Sequence, residues 1–198
     1  MPSTRPRIAF NSTGICNACG YKKKSNKTNF KQREATLKKL LKTCKSKNSK
    51  YDCIVPWSGG KDSSYVAYQL KFKYGANPLL VTFSPLIPSE IGKHNRNELV
   101  KLGFDHILVS QNKKISTYLS KRYLIERGNP KVAWDAGINS APFKTALEKK
   151  IKLIFYAEHG ESHYGGKVLK KDSDKMRDIN EVYEHQIGDD PRNWIDGV

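Results

Sequence analysis

The stretch "IVPWSGGKDSSY", residues 54 to 65, runs four residues suited to a buried strand into Ser58-Gly59-Gly60-Lys61-Asp62-Ser63, and a segment able to open a helix follows. Two glycines let the backbone turn tightly and come within contact distance of a ligand where a Cβ would obstruct it. A helix that starts directly after them presents unpaired N–H groups and positive dipole character. Phosphate is the ligand this arrangement favours. Lys61 can add a point charge, Ser58 and Ser63 can donate hydroxyl hydrogen bonds, and Asp62 can hold Mg²⁺ or fix the loop through its backbone amides. Spacing excludes two commoner phosphate loops. The Walker pattern requires glycine at position 55, which is Val, and a hydroxyl residue at 62, which is Asp; the dinucleotide pattern G-x-G-x-x-G does not occur.

A second group with chemical potential is Cys16 and Cys19, in "CNACG". Four cysteines in 198 residues do not make a disulfide scaffold, and the close pair suits a metal or redox role in a reducing compartment. Cys44 and Cys53 could complete a metal site on paper. Cys44 however falls on an apolar helical face and Cys53 in a buried strand, where each serves as a small hydrophobe.

The elements that must position these residues follow from the apolar pattern. Leu37, Leu40, Leu41 and Cys44 share one helical face, with Asn29 as N-cap, while the first thirty residues show no sustained period and read as a loop-built element. After the polar link "KSKNSK", apolar runs alternate with helix-length segments. "DCIVPW", "PLLVTF", "DHILVS" and "KLIFYA" are four expected strands. Between them, "SSYVAYQLKFKYG", "EIGKHNRNELVKLG", "ISTYLSKRYLIERG" and "SAPFKTALEKK" are expected helices, the last capped by Ser140 with Pro142 in its first turn. Strands this apolar indicate an α/β fold, an open parallel sheet with helices on both faces. Two parts are expected: residues 1–50, a basic segment with one helix, and residues 51–198, the nucleotide-handling domain.

The formal charge of +17 is uneven. Residues 1–50 hold 14 lysines and arginines against the single acid Glu34, whereas residues 51–198 hold 22 against 18 acids. The basic segment is either a solvated face or a polyanion site. No apolar run approaches the roughly 20 residues of a membrane span, and "MPSTRPRIAF" lacks the apolar centre of a signal peptide, so a cytoplasmic protein without membrane insertion is expected.

S-G-G-K-D-S directly after the first strand of an α/β domain resembles the pyrophosphate loop of the PP-loop ATP pyrophosphatases. Within that superfamily, "TRPRIAFNSTGICNACGY", "YDCIVPWSGGKDSSY", "NPLLVTFSP", "IGKHNRNELVKLGFDHI" and "IFYAEHGESHYGG", in this order, resemble the N-acetyl sugar amidotransferase family of surface-polysaccharide and nonulosonic-acid pathways. The resemblance implies ATP and Mg²⁺ as cofactors and an acetamido sugar as substrate. It also implies a glutaminase and cyclase-like partner that supplies ammonia; nucleic acid is not an expected partner. The implied reaction begins with attack of the acetamido oxygen on the α-phosphate of ATP, which releases pyrophosphate. Ammonia then adds to the imidate carbon and AMP departs. By the same resemblance, Ser58 to Ser63 hold the pyrophosphate moiety, with Lys61 and Asp62 acting in catalysis. Thr82 and Phe83, at a strand's carboxyl end, receive adenine or serve only in packing. Glu158, His159, Glu161, His163 and Tyr164 follow the fourth strand; there a glutamate could hold Mg²⁺ or a sugar hydroxyl and a histidine could shuttle a proton from ammonium, unless the segment is a plain surface loop. Asp135 to Ser140 lead into a helix and could approach the α-phosphate.

The chain departs from the family pattern in three places. Family members carry a further C-x-x-C just before the "MP-x-TRP" segment, so Zn²⁺ is expected on Cys16, Cys19 and two upstream cysteines of a longer form. They also continue well past "YGG", and they have a smaller residue in place of Trp57. Two other readings stay open: a PP-loop tRNA-thiolating enzyme, motivated by the basic segment and the lone C-x-x-C, and an inactive fragment or scaffold.

Overall fold

The computed structural model describes residues 2–4, 8–25, 27–45 and 49–158. The described residues divide into two units, one reaching Lys39 and including Glu158, the other running from Leu40 to Ala157.

In the first unit a tight turn is built on Asn11, whose Oδ1 accepts hydrogen bonds from the amides of Thr13 and Ile15 at 3.1 and 2.8 Å. Gly14 supplies the positive φ of 74° that this turn requires. Phe10 bridges Cys16, and helix α1, Asn17–Ser25, follows. This helix corrects the expectation of a loop-built start. It has no apolar face to announce it, and its only visible start signal is the turn that feeds it. Helix α2, Phe30–Cys44, begins as expected, with Asn29 Oδ1 accepting from the amide of Gln32 at 3.1 Å.

The second unit is α/β. Strands β1 (Cys53–Pro56), β2 (Pro78–Phe83) and β3 (Asp105–Val109) form an open parallel sheet in the order β1-β2-β3. The expected fourth strand is reduced to one parallel bridge on the free edge of β1. Ile54 donates its amide to the Leu153 carbonyl at 2.9 Å and accepts from the Phe155 amide at 2.8 Å. The next rung would need an N–H from residue 56, which is proline, so the ladder stops there.

Helices lie on both faces of the sheet. After β1 comes α3 (Lys61–Tyr68), extended by a π-helical turn over Gln69–Lys73; Ala67 and Leu70 from this pair cover Cys53, Val55, Trp57 and Leu80. Leu41 of α2 and Leu99 of α4 (Glu90–Lys101) join the same cluster. On the opposite face Ile54, Leu79 and Val81 pack against Ala146 of α6 (Val132–Glu148). Helix α5 (Lys113–Arg127) packs on α6 through Leu119, Tyr123 and Val132. Burial on both faces explains the unbroken apolar runs, each fully buried Ile, Leu or Val contributing roughly 1.5–3 kcal/mol.

Helix α6 corrects a second expectation. It starts eight residues before Ser140, and Pro142 lies in its interior rather than its first turn. An interior proline removes one helical hydrogen bond at a cost of about 3 kcal/mol. Here the cost is offset by the burial of Val132, Ala141, Pro142, Thr145 and Ala146, and the run "VAWDAGIN" masks the start by offering neither a capping side chain nor a clear period. Among the described residues no helix is long and apolar enough to cross a membrane.

Candidate phosphate-binding site

The site is organised by Trp57, the residue between β1 and the glycine pair. Its side chain is buried beneath the turn. Its amide donates to the Val81 carbonyl at 2.8 Å and its indole N–H to Ser64 Oγ at 2.8 Å, while its carbonyl accepts the Thr82 hydroxyl at 2.6 Å. With both ends of Trp57 fixed, the chain leaves the sheet in a defined direction.

Gly59 then takes a φ of +83°, which a side chain would strain, and Gly60 returns to extended backbone as the N-cap of α3. Ser58 Oγ accepts the Gly60 amide at 3.3 Å, and Ser63 Oγ donates to the Gly60 carbonyl at 3.3 Å. The first helical bond runs from the Ser64 amide to the Gly60 carbonyl at 3.1 Å. The amides of Lys61, Asp62 and Ser63 therefore have no acceptor within the helix, and glycine at the N-cap offers no side chain to take their place. Lys61 and Asp62 are exposed beside them, and Ser63 is buried. Ser58 Oγ acts in the turn as an acceptor, whereas the hydroxyl proton of Ser63 is spent on holding it.

Helix α4 lies against this loop. Asn95 Nδ2 donates to the Gly59 carbonyl at 3.4 Å, and the Gly92 carbonyl stands 3.7 Å from where a Cβ on Gly59 would sit. The sequence reading missed Asn95, which carries no motif signal of its own.

Thr82 and Phe83 are both engaged in packing. Thr82 is buried, and besides donating to Trp57 it receives His106 Nε2 at 2.8 Å. Phe83 points to the other face of the sheet, where its ring lies against Gly137 of α6. Asp135 to Ser140 thus form part of the opening turns of α6 and not a loop ahead of it, but Gly137 brings that end of the helix to the carboxyl end of β2. Burial raises the Asp135 pKa and Lys131 opposes the rise. Glu158 is exposed and belongs to the other unit; His159, Glu161, His163 and Tyr164 lie outside the described residues.

His106 is a second residue that the motifs did not flag. It sits on β3 with its ring edge-on to Trp57, centroids 5.4 Å apart, and burial, with a smaller contribution from Arg96, lowers its pKa to about 4. The imidazole is neutral near pH 7. Since the single Thr82 hydroxyl proton is given to Trp57, the imidazole must donate through Nε2–H. The signal available in the sequence was a polar side chain at an inward position of an apolar strand.

One carboxylate beside a phosphate loop fits Mg²⁺, which is held by one or two carboxylates together with substrate phosphates; Asp62 would supply it. The cysteine pair does not fit zinc in the same way. Cys16 is buried and accepts the Cys19 amide at 3.5 Å, Cys19 is exposed, and both are free thiols. That amide, then the Cys19 thiol, lowers the Cys16 pKa, and the same thiol contact raises that of Cys19. Two thiols do not close a tetrahedral site, and among the described residues no group of three or more His, Cys, Asp or Glu could hold a metal ion.

No family model matches the chain. Over 53 residues it is 40% identical to an uncharacterized protein of Methanocaldococcus jannaschii, a match that covers 27% of this chain and 19% of that protein. Among solved structures it is similar to NMN synthetase from Francisella tularensis, with TM-score 0.46 and 17% identity, over 64% of this chain and 53% of that one. It is also similar to a predicted subunit of tRNA methyltransferase from Methanocaldococcus jannaschii, with TM-score 0.41 and 22% identity, over 72% of this chain and 71% of that one. The chain thus spans about a fifth of the curated relative and about half of the synthetase.

Proposed function

We propose that this chain is an ATP-dependent, AMP-forming amidotransferase that converts an acetamido group of a sugar into an acetamidino group. The observation that carries the nucleotide half of this reading is the set of three amides at the start of α3, left without helical acceptors beneath Gly59 and flanked by Lys61 and Asp62. The sugar half rests on the ordered resemblance of sequence segments quoted above.

In this reading the amides of Lys61, Asp62 and Ser63, with Ser58 Oγ, hold the β and γ phosphates, and the Lys61 ammonium neutralises charge that develops on the leaving pyrophosphate. Asp62 would hold Mg²⁺, which would supply positive charge to the same phosphates. The base lies at the carboxyl end of β2, beside Thr82 and Phe83. An amide carbon is a poor electrophile until its oxygen carries AMP, so the loop's task is to align the α-phosphate with that oxygen and retain the leaving group. Glu158 and His159 are proposed to serve the sugar and ammonia half of the reaction, with ammonia arriving from a glutaminase partner.

The test is single-turnover formation of AMP and pyrophosphate from ATP, with and without an acetamido sugar nucleotide. AMP formation that requires the sugar, and that drops at least about tenfold in Lys61→Ala through loss of charge-assisted contacts, is expected. AMP formation indifferent to Lys61 would sink the reading. Salt-sensitive RNA binding with no response to the sugar would instead favour tRNA thiolation, the alternative suggested by the basic residues 1–50.

A further inference from the structure

Two hydrogen bonds run in series from β3 to the residue before the glycine loop, and a third ties that residue's indole to α3. His106 Nε2–H donates to Thr82 Oγ1 at 2.8 Å, Thr82 Oγ1–H donates to the Trp57 carbonyl at 2.6 Å, and the Trp57 indole N–H donates to Ser64 Oγ of α3 at 2.8 Å. The series is unidirectional, since each hydroxyl or imidazole has one proton to give. It also bypasses the main-chain ladder. The register pairs Leu80 with His106 and Thr82 with Leu108, so the His106–Thr82 contact is a diagonal one made by side chains alone. It ends on the two groups that fix the loop: the carbonyl that precedes Ser58, and a side chain in the first turn of α3. The His106 ring meets the Trp57 indole edge-on as well, so the same residue restrains Trp57 through packing.

We propose that His106 is a positioning residue for the phosphate loop, acting through Thr82 and Trp57 to hold the α3 amides at the geometry that a pyrophosphate group requires. The inference rests on the phosphate-binding reading for its ligand, but the restraint it describes exists without any ligand. His106 has the character of a fixed donor. It is half-buried and neutral, and Thr82 stands between it and the loop, so it neither touches phosphate nor supplies charge. Removing its N–H leaves the Thr82 hydroxyl free to turn away from Trp57, and the peptide between Trp57 and Ser58 gains freedom to rotate. The loop would still form, because Gly59 and Gly60 define the turn, but its amides would no longer converge on one point.

Two measurements test this. The first is amide hydrogen exchange of the ligand-free chain, comparing wild type with His106→Phe, which keeps a ring but removes the donor, and with His106→Gln, which keeps an N–H. His106→Phe is expected to speed exchange of the hydrogen-bonded amides that frame the loop, those of Trp57, Gly60 and Ser64, by tenfold or more while those of Leu79 to Val81 stay protected, and His106→Gln is expected to restore most of the protection. The second is calorimetric binding of inorganic pyrophosphate, ATP and AMP. His106→Phe should weaken pyrophosphate and ATP about tenfold and AMP by less than twofold, and adding Thr82→Val should cost little more, because the two residues act as one chain. Unchanged loop exchange, equal loss for ATP and AMP, or additive effects of the two substitutions would each overturn the proposal. Should wild type bind neither pyrophosphate nor ATP, the phosphate reading fails, and the exchange result still decides whether His106 restrains the loop.

Discussion

Helices α3 and α5 both begin after a strand of the same parallel sheet, and they end their N-termini in opposite ways. At α5, Asn112 folds its side chain back and accepts from the amides of Lys114 and Ile115 at 3.0 and 3.4 Å. At α3 the equivalent position is Gly60, which has no side chain to accept from the first-turn amides. A cap of the Asn112 kind contributes about 1 kcal/mol, so its absence at α3 is a small loss of stability in exchange for open donors. The difference separates a helix start that serves folding from one available to a ligand.

Exchanging the two designs gives the largest expected effect. Gly60→Asp places a carboxylate over the α3 amides, at a backbone conformation that any residue can adopt, with Ser58 Oγ giving way to the new Cβ. Pyrophosphate and ATP affinity should fall by about a hundredfold or more through lost donors and added repulsion, while the melting temperature holds or rises. A variant that retained its affinity would break the comparison. The reciprocal change, Asn112→Ala, should lower stability by about 1 kcal/mol in denaturant titration and leave nucleotide affinity untouched.

The smallest effect concerns pH and sharpens the account of how the α3 start is held. The His106 pKa falls from 6.5 to about 4 on folding, so between these values the unfolded chain binds more protons than the folded one. Stability from this source is therefore complete above about pH 6.5 and is lost as pH drops through 4. Discounted for partial exposure it should amount to roughly 0.5–1 kcal/mol, and urea titrations of His106→Gln should lack that component.

The order of strands and helices was legible because β1 and β2 are buried on two faces and three helices end on a visible signal: Gly75, Gly103 and Gly128 all take the left-handed conformation that stops a helix. The start of α6 was not legible, since Val132 follows Lys131, which caps nothing, and Pro142 suggested a first turn where the helix is already mid-course. The fourth strand was overread: "KLIFYA" has a strand's composition, but composition does not reveal that Pro56 on its neighbour withholds the next rung. At the site, the glycine loop could be read from residue types because the chemistry of close approach demands glycine. The chain His106–Thr82–Trp57 could not, because it depends on which side chains two strands bring to the same face. The same pairing decides Thr82, whose hydroxyl is committed to Trp57 in a way that residue identity alone does not express.

Gly137 carries a consequence for how this protein can vary. A Cβ built there would fall 2.1 to 2.6 Å from three carbons of the Phe83 ring, so the closeness of α6 to the tip of β2 depends on a missing methyl group on one side and a flat ring on the other. Gly137 cannot gain bulk unless Phe83 gives way. Sequences that share this architecture should therefore trade bulk between positions 83 and 137 as a matched couple, and a lone Gly137→Ala should push the helix off the strand end unless a smaller partner such as leucine replaces the ring.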